Sequence, residues 1–431
     1  MQRFLIPFAS LVASAATAHA QPAPAPEPAG PPSQPADQPP NQPAQPPVEA
    51  APPVQPPPPA PAEAKPEGPR KLSVGKESPG ATFTPGLNLQ GWFVYDESKK
   101  SATDDTKVST STFRVKRLEV SGSGDLIPGA VKYKFMFDLG RVIDTPPTTN
   151  AVNATGGAVT VPNATGPFST LQDFFVTFTG DYADVSIGQF KNTVSWEAYQ
   201  PATKIILPER SFIGAQIGGK RDVGLRLDKT FKKFMYSLNL FNGAGQNTTD
   251  NNNQKDVSFR LEVYPIPGMT IAGATYDSIG YRTRRGTKDR WEGDFVYETG
   301  PFKIQAEFVR LQDVLVADAD PIKSQGGYVA LAYKFPEMGS GAWKGVLQPV
   351  VRFGYWDPNA DTNVNPAMAT AANTNIVAGV NDERMDYEVG FNYYLRGHEM
   401  KIQASYDRQQ YDNSSSKPAN NEVIVATQLW F

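Results

Sequence analysis

The sequence has no cysteine and only two histidines, His19 and His398. The first absence excludes disulfide scaffolds and thiolate sites. The two together leave histidine- and thiol-based nucleophilic catalysis almost no material, because His19 falls in an apolar leader and His398 in a short polar turn. No run after the N-terminus approaches 18 apolar residues, so helical membrane spans are excluded. Charge of one sign is not in excess either. With 41 Lys and Arg against 44 Asp and Glu the net charge is −3, which argues against nucleic acid as a partner. The stretch Asp250 to Asp256 is rich in Asn but lacks the Gly and the closing Glu of a helix-loop calcium site, and reads as a loop. We expect no metal, no cofactor and no enzyme.

What is present starts from the C-terminal end. Val423, Val425, Thr427, Leu429 and Phe431 share one face of an alternating segment, with Glu422, Ala426 and Gln428 on the other. A period of two is a strand with one apolar face. Working back to Gly86, about sixteen such segments can be counted, most of them near ten residues, the length a tilted strand needs to cross a bilayer. Tyr133, Phe135, Phe137 and Leu139 alternate with Lys132, Lys134, Met136 and Asp138; Tyr387, Val389, Phe391, Tyr393 and Leu395 alternate with Glu388, Gly390, Asn392 and Arg396. Aromatics opposite charges place the polar side in a lumen. The connections alternate too. Long ones near 96–111, 140–169, 192–220, 357–383 and 410–420 are separated by short ones such as Gly180-Asp181-Tyr182 and Arg396-Gly397-His398. The reading is all-β: a transmembrane antiparallel barrel of about 16 strands over residues 81–431, in the outer membrane, with short turns in the periplasm. An even count closes the barrel and removes every open edge. The terminal aromatic, Phe431, resembles the signal read by the barrel assembly machinery. Before the barrel, residues 1–20 read as a signal peptide (Arg3, an apolar run, then Ala18-His19-Ala20). Residues 21–80, rich in Pro, Ala, Gln and Glu, read as a disordered periplasmic segment, either an inert linker or a cell-wall contact.

One long connection is not polar. Between Asn192 and Lys220 lie Trp196, Tyr199, Ile205, Ile206, Leu207, Phe212, Ile213 and Ile217. A solvated loop would not carry that load. Either it folds into the barrel as a constriction loop, or it makes a subunit contact.

Several segments bear a resemblance. Leu171-Gln172-Asp173, Ile187-Gly188-Gln189-Phe190-Lys191, Leu207-Pro208-Glu209-Arg210-Ser211 and the basic strand Phe113-Arg114-Val115-Lys116-Arg117-Leu118-Glu119 are similar to the phosphate-selective porin O and P family. The resemblance implies a sixteen-stranded homotrimer that lets small hydrophilic solutes diffuse passively, with basic residues that replace the water around small anions such as phosphate. A non-selective general porin, and a barrel that tethers the cell wall, are the alternatives.

An oxyanion pore needs fixed positive charge in a narrow throat. The candidates are Lys191, Lys204, Arg210, Lys220 and Arg221 in or beside the long apolar connection, Arg114 and Lys116 on the basic strand, and Arg226, Arg260 and Arg352 on the wall; Lys132, Lys134, Lys303 and Lys401 could extend the track. Each could equally be a solvated lumen charge. Wall acids such as Asp138, Glu262, Glu292, Asp294, Glu307 and Glu388 could pair with them. The facing of the basic strand is open, because its alternation slips between Val115 and Leu118, as a bulge would make it do. Arg282, Arg284, Arg285, Lys288 and Arg290 form a basic outer loop that could draw anions to the mouth, bind lipopolysaccharide, or simply be solvated.

Overall fold

The computed structural model describes residues 72–73, 80–99, 106–144, 151–152, 158–159, 170–216, 220–250, 252–279, 288–314, 321–358, 360, 383–411 and 419–431. The expected signal peptide, nearly all of the proline-rich segment, and Arg282, Arg284 and Arg285 lie outside them.

Alternation of apolar and polar side chains builds one closed sheet. Its strands are β1 (Thr82–Lys99), β2 (Lys107–Ile127), β3 (Val131–Asp138), β4 (Leu171–Phe178), β5 (Asp184–Lys191), β6 (Arg221–Thr230), β7 (Phe234–Phe241) and β8 (Lys255–Val263), followed by β9 (Met269–Ile279), β10 (Lys288–Thr299), β11 (Phe302–Asp313), β12 (Ile322–Tyr333), β13 (Val346–Asp357), β14 (Arg384–Arg396), β15 (Met400–Tyr411) and β16 (Asn420–Trp430). Each pairs antiparallel with its sequence neighbours, and β16 pairs with β1, so sixteen strands close the barrel. The closure runs to the last residue: Leu87 N donates to Phe431 O at 2.8 Å and Phe431 N to Leu87 O at 3.0 Å. Just before β1, Leu72–Ser73 pairs with Thr82 and Phe83.

Phe174, Ile187, Leu238, Phe308, Leu331, Val351 and Val389 are exposed on the outer face, while Asn239, Arg260, Gln305, Glu307, Gln348, Asn392 and Lys401 are buried on the inner one. That is the reversed polarity of a barrel whose solvent is lipid outside and water inside. Even-numbered connections are short, with Gly300-Pro301 the tightest, except the one after β12, where residues 334–345 include a 3-10 turn, Gly341–Trp343. Among the described residues no helix is long and apolar enough to cross a membrane.

Two register shifts matter for the interior. Gln90 pairs with Arg117 and Gly91 with Val115, which leaves Lys116 as the extra residue of a bulge. Met136 pairs with Asp173 and Phe137 with Leu171, which leaves Gln172 extra on β4. A bulge sets consecutive side chains on one side of the sheet. Lys116 and Arg117 therefore both face inward, as do Gln172 and Asp173. The slip expected between Val115 and Leu118 is this bulge. On β5 the register is kept by Gly188, whose φ is +135° and whose added Cβ would stand 2.2 Å from the carbonyl oxygen of Phe174. No side chain fits there, and this accounts for the Gly in Ile187-Gly188-Gln189.

Candidate functional site: the pore around the inward loop

The connection from Asn192 folds into the barrel over its described residues, 192–216, and packs on the inner wall; Ile217 lies outside the described residues. Val194, Ile206, Leu207 and Ile213 share a buried cluster with Val309, Leu311, Tyr328, Ala330 and Val350 of β11, β12 and β13. Within it lie a short helix α2 (Trp196–Tyr199), a 3-10 turn (Ala202–Lys204) and α3 (Phe212–Gln216); α1 (Gly140–Ile143) precedes it, after β3.

The wall holds the loop in two complementary ways. Glu292 accepts the backbone N–H groups of Ser195 (2.5 Å) and Trp196 (2.8 Å), and Glu307 accepts from Glu197 N (2.7 Å) and Ser195 Oγ (2.8 Å). These carboxylates take the free donors at the start of α2, where negative charge is favoured. On the far side the wall donates. Asn392 Nδ2 reaches Ile206 O at 2.8 Å, Lys401 Nζ reaches Ile205 O at 3.2 Å, and Gln428 Nε2 reaches Thr203 O at 3.3 Å. His398 Nδ1 lies 2.9 Å from the same carbonyl of Thr203. The loop thus reaches from β5 to the short turn between β14 and β15.

Two of the expected pore cations belong to this anchoring. Arg260, with a fully buried side chain, is ringed by Glu262 (2.7 Å), Glu292 (3.4 Å) and Asp294 (2.8 Å). Arg352 pairs with Glu197 at 3.0 Å and with Glu388, and donates to Glu209 O at 3.3 Å. Both face the interior as expected, but neither guanidinium opens onto the cavity described next.

That cavity, of about 660 Å³, lies between the loop and β2–β6. Lys116, Arg117, Lys134, Arg141, Lys191, Arg210, Arg221 and Arg226 line it, against four carboxylates, Glu119, Asp138, Asp173 and Glu209. Some of the cations are neutralised: Arg221 and Lys134 by Asp173 at 2.7 and 3.2 Å, and Lys116 by Glu209 at 2.7 Å. Three are not. Lys191 Nζ rests on Ala198 O (3.1 Å) and Gln200 O (3.3 Å), and Arg210 on Glu197 O (3.2 Å) and Gln200 O (3.0 Å). Arg226 rests on Asn239 Oδ1 (3.0 Å) and Lys191 O (2.6 Å), with its guanidinium 4.1 Å from the ring centroid of Phe190. Among the described residues none of the three pairs with a carboxylate. Burial, and then Arg117, lower the pKa of the Arg210 guanidinium; an arginine so placed keeps its proton, and an anion would relieve it.

The remaining candidates are placed elsewhere. Arg114 faces inward but is held by both carboxylate oxygens of Asp144, just after α1. Lys204 is exposed at the loop's 3-10 turn and does not line the cavity. Lys220 stands where the loop rejoins β6, near Lys288, Arg141 and Arg290. Arg117 and Arg141 were missed. The bulge was the available signal for Arg117; Arg141 follows β3, where the alternation gives no warning that α1 turns inward.

A profile of the phosphate-selective porin O and P family matches residues 87–284 and 269–431. The chain belongs to this family. Solved structures with the same fold include the outer membrane channel DcaP of Acinetobacter baumannii (13% identity, TM-score 0.53, 83% of this chain and 99% of that one) and an anion-selective porin from Comamonas acidovorans (13%, 0.51, 81% and 100%). Pseudomonas putida OprB is another (12%, 0.52, 80% and 94%). No curated protein sequence matches. Family and fold together make this porin an outer-membrane channel rather than an enzyme.

Proposed function

We propose that this porin is an anion-preferring diffusion channel for small oxyanions of the phosphate class. The observation that carries the reading is the group Lys191, Arg210 and Arg226, three cations in one cavity whose partners among the described residues are carbonyls or an amide and not carboxylates. A dipolar partner orients a cation without cancelling its charge. In a narrow pore such a cation acts before bulk screening, which sets in over about 8–10 Å, so it outweighs a net charge of −3 spread over the chain. Among the described residues Glu209 makes no ion pair with the neighbouring Arg210 guanidinium: its carboxylate pairs with Lys116 at 2.7 Å and accepts only the backbone N–H of Arg210, at 3.0 Å.

The alternative is a general porin of weak selectivity, and one observation favours it. Arg352, Glu388, Asp407, Glu422 and Asp96 are successive cross-strand partners on β13, β14, β15, β16 and β1. That side of the interior therefore carries four adjacent carboxylates. Reversal potential in a planar bilayer under a salt gradient separates the readings. We expect anions to be preferred and phosphate to block chloride current; a wild-type channel that prefers cations ends the oxyanion reading. Family membership supports a homotrimer, to be read from the mass of the unboiled species. Export by residues 1–20 and contact with lipopolysaccharide complete the proposal.

A further inference from the structure

Glu209 is the residue where the two sides of the interior meet. Its backbone carbonyl is held by Arg352 of β13, while its carboxylate reaches across to β2, 2.7 Å from Lys116 and 3.9 Å from Arg117. Lys116 lies in turn 4.5 Å from the ring centroid of Trp92, a buried inward residue of β1. The 660 Å³ basic cavity lies on one side of this strut. On the other is a cavity of about 130 Å³, where Asp386, Glu388, Asp407 and Glu422 outnumber Arg352 and Arg384, which pair with Glu388 and Asp386. Glu209 and Arg210 line both.

We propose that Glu209 is a specificity-determining residue that lowers the anion preference of this channel: by bridging the loop to Lys116 and Arg117 it withholds two cations from the solute path and marks the boundary between the basic and acidic compartments. The reading rests on the anion preference proposed above and adds a residue that opposes it. Three points support it. The bulge at Lys116 turns two consecutive cations inward, and both meet one carboxylate. Burial would push that carboxylate up, but Lys116 and Arg117 hold it down at about 2, so it stays ionised throughout the working range of a porin. The loop does not depend on the bridge for its place, because Glu292, Glu307, Arg352 and Asn392 anchor it independently.

The test is Glu209→Gln, nearly isosteric, in the full-length porin. Glu119→Gln serves as the control: that carboxylate lines the same cavity and its neutralisation removes the same charge, but it accepts from Asn88 and among the described residues bridges no cation to the loop. Reversal potentials give the anion-to-cation permeability ratio, and liposome swelling with neutral sugars gives pore size. We expect Glu209→Gln to raise the ratio roughly two-fold or more, well beyond Glu119→Gln, with sugar permeation unchanged. A ratio equal to wild type or to Glu119→Gln overturns the proposal. So does faster sugar entry without a change in ratio, which would make the bridge only a brace for the loop. Because the readout is a change relative to wild type, a cation-preferring parent would sink the anion reading and leave this comparison decisive.

Discussion

Arg260 on β8 and Arg226 on β6 stand near each other on one inner wall, yet they sit in opposite chemical settings. Arg260 is ringed by three carboxylates and has no exposed side-chain surface. Arg226 touches an amide oxygen, a backbone carbonyl and an aromatic ring. The same contrast separates Arg352 from Arg210 on the two flanks of the loop. Where carboxylates surround an arginine, its charge is consumed in holding the loop against the wall. Where dipoles surround it, the charge remains available to a solute. Residue type and facing are the same in both regions, and the partners alone assign the role.

The strongest way to break this comparison is to remove an anchoring arginine. Arg352→Ala leaves Glu197 and Glu388 buried without their cation, and losing one member of a buried pair costs about 3–5 kcal/mol. We expect a lower unfolding midpoint in detergent and early loss of the heat-modifiable band on a gel, while Arg210→Gln stays within about 1 kcal/mol of wild type. Equal stability of the two variants would erase the distinction between anchoring and open cations. Next in size is deletion of the middle of the loop, residues 200–206. Because the loop occupies the lumen, single-channel conductance should rise roughly two-fold or more. Unchanged conductance with loss of the oligomer would favour a subunit-contact role.

The open side of the comparison is sharpened by selectivity. Arg210→Gln and Lys191→Met should each lower the anion-to-cation permeability ratio, by roughly two-fold, and weaken phosphate block. Lys204→Gln, outside the cavity, should change either quantity less. If Lys204→Gln has the larger effect, the selective region lies at the short-turn end of the pore rather than beside β2–β6.

The barrel was legible in the sequence because its signal is repeated sixteen times and each strand carries the same period. Val423 to Phe431 and Tyr387 to Leu395 show it without tertiary information. The inward loop was legible from its misplaced apolar residues, among them Ile206, Leu207 and Ile213, which form its contact with β11–β13. The candidate site was legible only as a set of cations. Arg260 and Arg352 read like Arg226 because their partners, Glu292, Asp294, Glu197 and Glu388, come from strands or loops far away in sequence. Arg117 was hidden by one extra residue in β2, which reverses the parity of everything after it. His398 read as a turn residue with no task; its link to Thr203 spans 195 positions, beyond any local pattern.

That link gives the smallest expected effect, a pH slope. Burial, then Lys401, lowers the His398 imidazole from 6.5 to about 4, against the Thr203 carbonyl that would raise it; Lys204 and Lys303 add to the lowering. The unfolded chain therefore takes up a proton as pH falls through about 6.5, whereas the folded chain does so only near 4. Between those values the unfolded state binds more protons, so this residue makes stability fall as the medium is acidified. Glu209 acts in a separate window. With its carboxyl lowered from 4.5 to about 2, its contribution is fully present above 4.5 and is lost only as pH falls towards 2. Urea unfolding midpoints in detergent, taken between pH 7 and pH 4.5 for wild type and His398→Asn, isolate the histidine. We expect the variant to show a shallower decline than wild type across that range, while keeping a neutral donor beside Thr203. Parallel curves would mean that His398 titrates alike in both states, and that its contact with the loop carries no proton linkage.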